Sequence, residues 1–424
     1  MTMIEKIVNN KNILISGEIA SGKTRNVLFP VVDELINNKE SMFIIDSKEE
    51  YVNNYYNKLK DNGYNLHLVD LRNIKNSESW NPLLYPYQLY KDGNRDLALE
   101  MLDKVSKTIF YEESQQDPFW CQSASDFFTG CVLGLFEDAN EDEVNFNSVA
   151  RMFDSVGTTL VNDYTKKYFN LKNANSSAYV YASNTINAPT ETKGGIISVA
   201  RMKLRLYTSR EKLSKLMSKS SFSYDEVLDK PTAIIFVGKE ESKSTNVIIA
   251  MFVEQLFSYM MNNKLTNRFN YILDSIDIID KIDTLPDMLG SGLSRNMKFY
   301  IATRSYDEFI NKYGSYINNL ANRVDVKSNT IEATLNGETI IEDKKELDIK
   351  LDDIDINLPT LDESEIKVFD VVGYVNEYTP NPLNIEKTDS YNIDDLIHKI
   401  DDKIAELDKQ EKSIENPFEN NPFE

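Results

Sequence analysis

Two cysteines and two histidines in 424 residues leave little for disulfide or transition-metal chemistry. Cys121 and Cys131 stand ten residues apart in one expected helix, too far for a disulfide, too few for a metal site, and suited to a reducing compartment. His67 and His398 have no partner pattern around them and are read as passive. No apolar run approaches the ~20 residues of a membrane span. The start, Met1-Thr2-Met3-Ile4-Glu5-Lys6, lacks the basic-then-apolar order of a signal peptide. Positive charge is also in short supply, the net charge being −21 at pH 7. That acidity is unevenly placed: residues 331–424 carry 26 acidic and 9 basic side chains, a balance of −17, against −4 for the rest. The body is therefore nearly balanced, with room for weak DNA binding but without the basic stripe of a dedicated DNA binder. Its 41% hydrophobic content is ample for two or three units of ~100–200 residues.

What is present centres on Gly17-Glu18-Ile19-Ala20-Ser21-Gly22-Lys23-Thr24, which has the form G-x-x-x-x-G-K-T. The apolar run Asn12-Ile13-Leu14-Ile15-Ser16 before it reads as a buried strand, and Arg25-Asn26-Val27-Leu28-Phe29 after it opens a helix to about Asn38. In that setting backbone N–H groups wrap a phosphate at the positive end of the helix, Lys23 reaches the outer phosphates, and the Thr24 hydroxyl holds Mg²⁺. Gly17 through Arg25 are thus the candidate nucleotide-binding residues, with ATP and Mg²⁺ as ligands.

Further along, Ser41–Asp46, Asn65–Asp70, Thr232–Val237, Asn270–Asp274 and Phe299–Thr303 are apolar runs of strand length, and Tyr51–Asn62 and Asn246–Met261 read as helices. Strand, helix, strand makes a parallel crossover and an α/β class, with Asp46 delivered to the same edge as the phosphate loop. Asp117 to Asn187 reads as helices alone. Lys193-Gly194-Gly195 reads as a glycine turn before a helix over Ile197–Tyr207. Val324–Val326 and Val368–Val372 are expected as short strands separated by an acidic stretch.

Asp46-Ser47-Lys48-Glu49-Glu50 resembles the D-P-K-G-E segment of the TraG-like type IV coupling proteins, the ATPases that hand DNA and protein substrates to conjugation machines. Trp80-Asn81-Pro82-Leu83 is similar to that family's W-N-P-L, and Asp117-Pro118-Phe119-Trp120 to its D-P-F-W. Asp274 and Tyr313-Gly314 fall where the family has its Walker B strand and a terminal Y-G. The resemblance spans about residues 11–375 and, as an ordered set, is more specific than a P-loop alone. It implies a RecA-like P-loop nucleotide-binding domain over 1–116 and 188–380 with an inserted all-α domain over 117–187; beyond it, the change of composition after Thr379-Pro380 marks an acidic, partly disordered tail over 381–424.

The resemblance also assigns roles. Asp274 becomes the Walker B aspartate, which with Thr24 holds Mg²⁺. The family's next residue is a glutamate that activates water, and here it is Ser275, which has no basicity at neutral pH. Losing a positioned base costs ~10²–10⁴ in rate. Asp277 lies two residues on, on the same face if the strand continues. The family's γ-phosphate-sensing glutamine is replaced by Arg304, which still offers positive charge. Arg295 matches an arginine that reaches a neighbouring subunit's nucleotide, and a plain surface arginine is the competing reading. Lys23, Asp274, Arg304 and Arg295 are therefore the catalytic candidates.

By resemblance, the expected function is a conjugation coupling protein, a slow ATPase linking a relaxase-bearing DNA complex, the relaxosome, to the transfer channel. The implied partners are secretion-system ATPases and further copies in a homo-hexamer. Relatives carry an N-terminal anchor; the first strand begins about eleven residues in, so a cytoplasmic protein brought to the membrane's inner face by a separate anchored partner is expected. The alternatives are a nucleotide-binding adaptor with little or no hydrolysis, favoured by Ser275, and an FtsK-type DNA-translocating ATPase. In the tail, Ile393, Ile397, Ile400, Ile404 and Leu407 form one apolar helical seam suited to docking, followed by two Asn-Pro-Phe-Glu repeats.

Overall fold

The computed structural model describes residues 1–111, 117–157, 162–239, 241–279, 281–344 and 357–378. The seam Ile393–Leu407 and the rest of the tail lie outside them. Contacts divide the chain into units of residues 1–375 and 376–424, and the first holds everything that follows.

The apolar runs become strands β1 (Asn12–Ser16), β2 (Ser41–Asp46), β3 (Asn65–Asp70), β4 (Thr232–Val237), β5 (Phe269–Leu273), β6 (Met297–Thr303) and β7 (Ala321–Val326). A hairpin, β8 (Thr330–Leu335) and β9 (Glu338–Asp343), completes one sheet in the order β3-β4-β2-β5-β6-β1-β7-β8-β9. All pairs from β3 to β7 are parallel, and β7–β8 and β8–β9 are antiparallel. The insertion of β6 between β1 and β5 separates the phosphate-loop strand from the strand that ends beside Asp274.

Both faces of the sheet are covered, which is why its strands read as unbroken apolar runs rather than alternating ones. Ile13, Ile15, Met42, Ile44 and Ile235 point to the face carrying helices Phe29–Asn37 and Glu50–Asp61, while Leu14, Phe43, Ile45, Ile234 and Phe236 point to the other. Each such side chain contributes about 1.5–3 kcal/mol by leaving water. On the second face Phe236 and Phe252 meet at 4.3 Å, and the Trp80 ring lies edge-on to Phe252 at 5.2 Å. Trp80 Nε1 donates to Tyr224 at 3.0 Å, and Asn81 Nδ2 donates to the carbonyls of Val144 and Ser218. The W-N-P-L segment thus ties the sheet to the helices.

Those helices fill the connection from β3 to β4, from Leu84 to Asp229. Helix Phe119–Asp138 contains both cysteines, buried, and crosses helix Ser177–Ile186 at Gly130. A Cβ at Gly130 would lie 2.7 Å from the Ala182 backbone nitrogen, so the two backbones touch there. Among the described residues no helix is long and apolar enough to cross a membrane.

Three local expectations fail for identifiable reasons. Gly194 and Gly195 are not a turn but lie inside helix Thr190–Thr208, where the absent side chain of Gly195 leaves space for the Trp120 ring. Val368–Asp370 joins no ladder; the Phe369 N–H is taken by Ser148 Oγ at 3.0 Å, and a helix starts at Val371. The acidic stretch after β7 contains the β8–β9 hairpin. Its two-residue turn is Asn336 (φ 51) and Gly337 (φ 89), the left-handed pair that matches strand twist.

Candidate nucleotide site

A cavity of about 520 Å³ opens at the carboxyl edge of the sheet, where β1, β2, β5 and β6 end. Gly17 leaves β1 so close to β7 that a Cβ would lie 2.6 Å from the Val326 carbonyl oxygen. Ala20 (φ 61) and Gly22 (φ 85) then take left-handed conformations that curl the loop into a nest for an anion. Thr24–Leu28 opens the following helix as a π-turn that passes into Phe29–Asn37. Residues Ile19 to Arg25 line the cavity, while Gly17 and Glu18 lend their carbonyls to the Lys23 ammonium at 2.6 and 2.9 Å. Burial lowers the Lys23 pKa, opposed by the charges of Asp274 and Asp277.

Beneath the loop, Thr24 Oγ1 donates to Asp274 Oδ2 at 2.8 Å, and the Tyr51 hydroxyl donates to the same oxygen at 3.1 Å. Burial raises the Asp274 pKa, and these two hydroxyls together with Lys23 pull it back. Tyr51 is itself held by Asp46, whose carboxylate accepts the N–H groups of Lys48, Glu50, Tyr51 and Val52 at 2.8–3.2 Å and so seats helix Glu50–Asp61. Burial nonetheless pushes the Asp46 carboxyl up to about 6. Tyr51 was not among the sequence candidates; its only signal was a position five residues past the acid that ends β2.

Ser275 is left-handed (φ 58, ψ 49), a conformation costing roughly 1–2 kcal/mol for a residue other than glycine. It ends the strand and starts a 3₁₀ turn over Ile276–Ile278, so Asp277 is not on a continuing strand face as the pattern implied. The turn carries Asp277 sideways to the end of β6, where Thr303 Oγ1 donates to it at 2.8 Å and the Arg304 N–H at 2.7 Å. The Arg304 side chain is exposed and lines the cavity with Lys48 and with Glu50, which pairs with Arg25 at 3.3 Å. Arg295 stands apart: it is exposed in the turn Leu293–Arg295 before β6, about 20 Å from the cavity edge at ~3.3 Å per residue of a seven-residue strand.

Among the described residues no group of three or more His, Cys, Asp or Glu side chains gathers to hold a metal alone. The site nevertheless suits Mg²⁺, which keeps several waters, takes phosphate oxygens, and asks the protein for one or two oxygen ligands such as Thr24 and Asp274. Four cations, Lys23, Arg25, Lys48 and Arg304, face the volume a triphosphate would occupy.

A glycine-rich loop between strand and helix, an acid-ended strand two places away and a further strand between them define a P-loop protein of the RecA-like kind. The family described as type IV secretory system conjugative DNA transfer matches residues 7–321, and the chain belongs to that family. Among solved structures the fold is similar to the bacterial conjugative coupling protein TrwB in complex with sulphate, at 12% identity over 78% of each chain and a TM-score of 0.54. It is likewise similar to TrwB bound to the ATP analogue ADPNP (13%, 78% of this chain and 77% of that one, 0.54) and to ADP with Mg²⁺ (12%, 80% and 78%, 0.53). No curated protein sequence matches the chain significantly.

Proposed function

We propose that this protein binds Mg·ATP above the phosphate loop and couples a relaxosome to the membrane channel of a conjugative secretion system. The observation that carries the nucleotide reading is the 2.8 Å contact of Thr24 with Asp274, two residues 250 apart in sequence that meet directly beneath the loop. On binding, Lys23 exchanges the neutral carbonyls of Gly17 and Glu18 for a phosphate, whose negative charge attracts the ammonium more strongly. Mg²⁺, when bound, supplies positive charge against the phosphates, and Thr24 and Asp274 are the side chains that would hold it. Arg304, with its backbone fixed by Asp277, adds charge at the outer end of the cavity.

Ser275 supports a second reading, an adaptor switched by nucleotide with little or no turnover, because the residue after Asp274 has no basic side chain and Asp277 is engaged with β6. In either form the protein acts in the cytoplasm at the inner face of the membrane, held there by a separate anchored partner and working beside secretion-system ATPases. A homo-hexamer would set the exposed Arg295 against a neighbour's nucleotide. Calorimetric titration of wild type and Lys23→Ala with Mg·ATP tests the nucleotide reading; equal affinities would end it. Pull-down from a conjugating host tests the coupling role, and recovery of neither relaxosome nor channel proteins would end that part.

A further inference from the structure

The phosphate loop has a back as well as a front. While the Gly17 and Glu18 carbonyls turn to Lys23, the Ser21 carbonyl turns to the loop joining β7 to β8 and the end of β9. There Lys344, the residue after β9, donates from Nζ to the Ser21 carbonyl at 2.6 Å and to the Ser328 carbonyl at 2.9 Å. Its own N–H is fixed to the Asn329 carbonyl at 2.9 Å, which sets the side chain's starting point. Among the described residues Lys344 has no carboxylate within 4 Å, so its charge is spent on carbonyls alone. On the same side the Val326 carbonyl presses on Gly17, and Ser21 Oγ is buried with no hydrogen-bond partner among the described residues. Ser21 is therefore placed by its backbone, through Lys344 and through its N–H to the Glu18 carbonyl at 3.1 Å.

We infer that Lys344 is a positioning residue of the phosphate loop, holding the Ser21 carbonyl outward so that the following N–H groups are presented to a phosphate. The inference rests on the reading of the cavity as a nucleotide site. When Lys23 leaves the carbonyls of Gly17 and Glu18 to meet a phosphate, the loop loses its internal clamp, and Lys344 is the cation that still fixes it from behind. Its charge also adds to the field at the loop without competing for the ligand.

The test uses the full chain with Lys344→Met and Lys344→Arg, each titrated calorimetrically with Mg·ATP, and amide exchange over residues 17–24 of the nucleotide-free protein. Met should weaken ATP binding about tenfold, the scale of one charge-assisted hydrogen bond, and speed exchange of the loop. Arg should restore both to within about twofold, since it keeps charge and donors. Wild-type affinity and wild-type exchange in the Met variant would overturn the inference, as would an Arg variant as impaired as Met. If the wild type itself binds no nucleotide, the cavity reading fails, and the exchange data still decide what Lys344 does to the loop.

Discussion

Asp277 accepts the Arg304 N–H at 2.7 Å while its other oxygen takes the Thr303 hydroxyl at 2.8 Å. One carboxylate thus fixes the last residue of β6 and the first beyond it, the point where the strand reaches the cavity. Asp277→Ala should leave Arg304 in place covalently but free to wander. The measurable outcome is loss of discrimination: if Arg304 meets the outer phosphate as proposed, the ATP-to-ADP affinity ratio should fall several-fold, mostly by weaker ATP binding. An unchanged ratio in calorimetry would mean that Arg304 does not read the outer phosphate.

By the family resemblance, Ser275 stands where a water-activating glutamate is expected. Ser275→Glu should raise phosphate release by at least ~10²-fold, the low end of general-base effects, with little change in ATP affinity. Fast release by the wild type and slower release by the variant would instead make Asp277 the base. Ser275→Gly, which removes the left-handed penalty, should stabilise the fold by about 1 kcal/mol in thermal unfolding.

Gly130 lies in a helix interior, where alanine ordinarily gains ~1 kcal/mol over glycine. Here an added Cβ would lie 2.7 Å from the Ala182 nitrogen and 3.0 Å from the Ala178 carbonyl, backbone atoms that cannot swing aside. Gly130→Ala should therefore lose about 1–3 kcal/mol through overpacking. Calorimetry would show a lower unfolding midpoint, and a raised midpoint would contradict the close crossing.

Lys298, the second residue of β6, is buried and donates to the carbonyls of Ile7 and Val8 at 2.6 and 2.8 Å. Burial, aided by Arg268 and opposed by Glu40, lowers its pKa to about 7. The unfolded lysine keeps its proton to about 10.4, so between those values the unfolded state binds more protons and stability rises with pH. Relative to Lys298→Met, wild type should gain up to ~1.4 kcal/mol per pH unit between about 7 and 10. A pH-independent difference in chemical denaturation would show that the amine is not depressed.

Much of this was legible in the chain because burial on both faces writes strands as apolar runs. The expected bounds of β1, β2, β3 and β4 coincide with those in the structure, each run ending where a loop must reach the sheet edge. The P-loop and Asp274 were legible because their spacing is itself the chemistry. What escaped depends on contacts that leave no period. Tyr51 touches Asp274 across 223 residues, and Lys344 touches Ser21 across 323. Asp277 was noticed, but the left-handed turn at Ser275 that redirects it was not. The β8–β9 hairpin had a readable sign, Asn336-Gly337, overshadowed by the acidity around it.

The place of β1 in the sheet has a consequence for how the chain is made. It pairs only with β6 and β7, Ile13 opposite Tyr300 and Asn12 opposite Ala321. Of the strands of this sheet, the first to be made is thus the one that waits longest for a neighbour, through nearly three hundred residues of synthesis. Until then its apolar edge is exposed, the condition under which nascent chains aggregate and chaperones are needed. Truncations ending before about residue 300 should therefore be insoluble however well their helices form, and any capacity to bind phosphate should appear only late in translation.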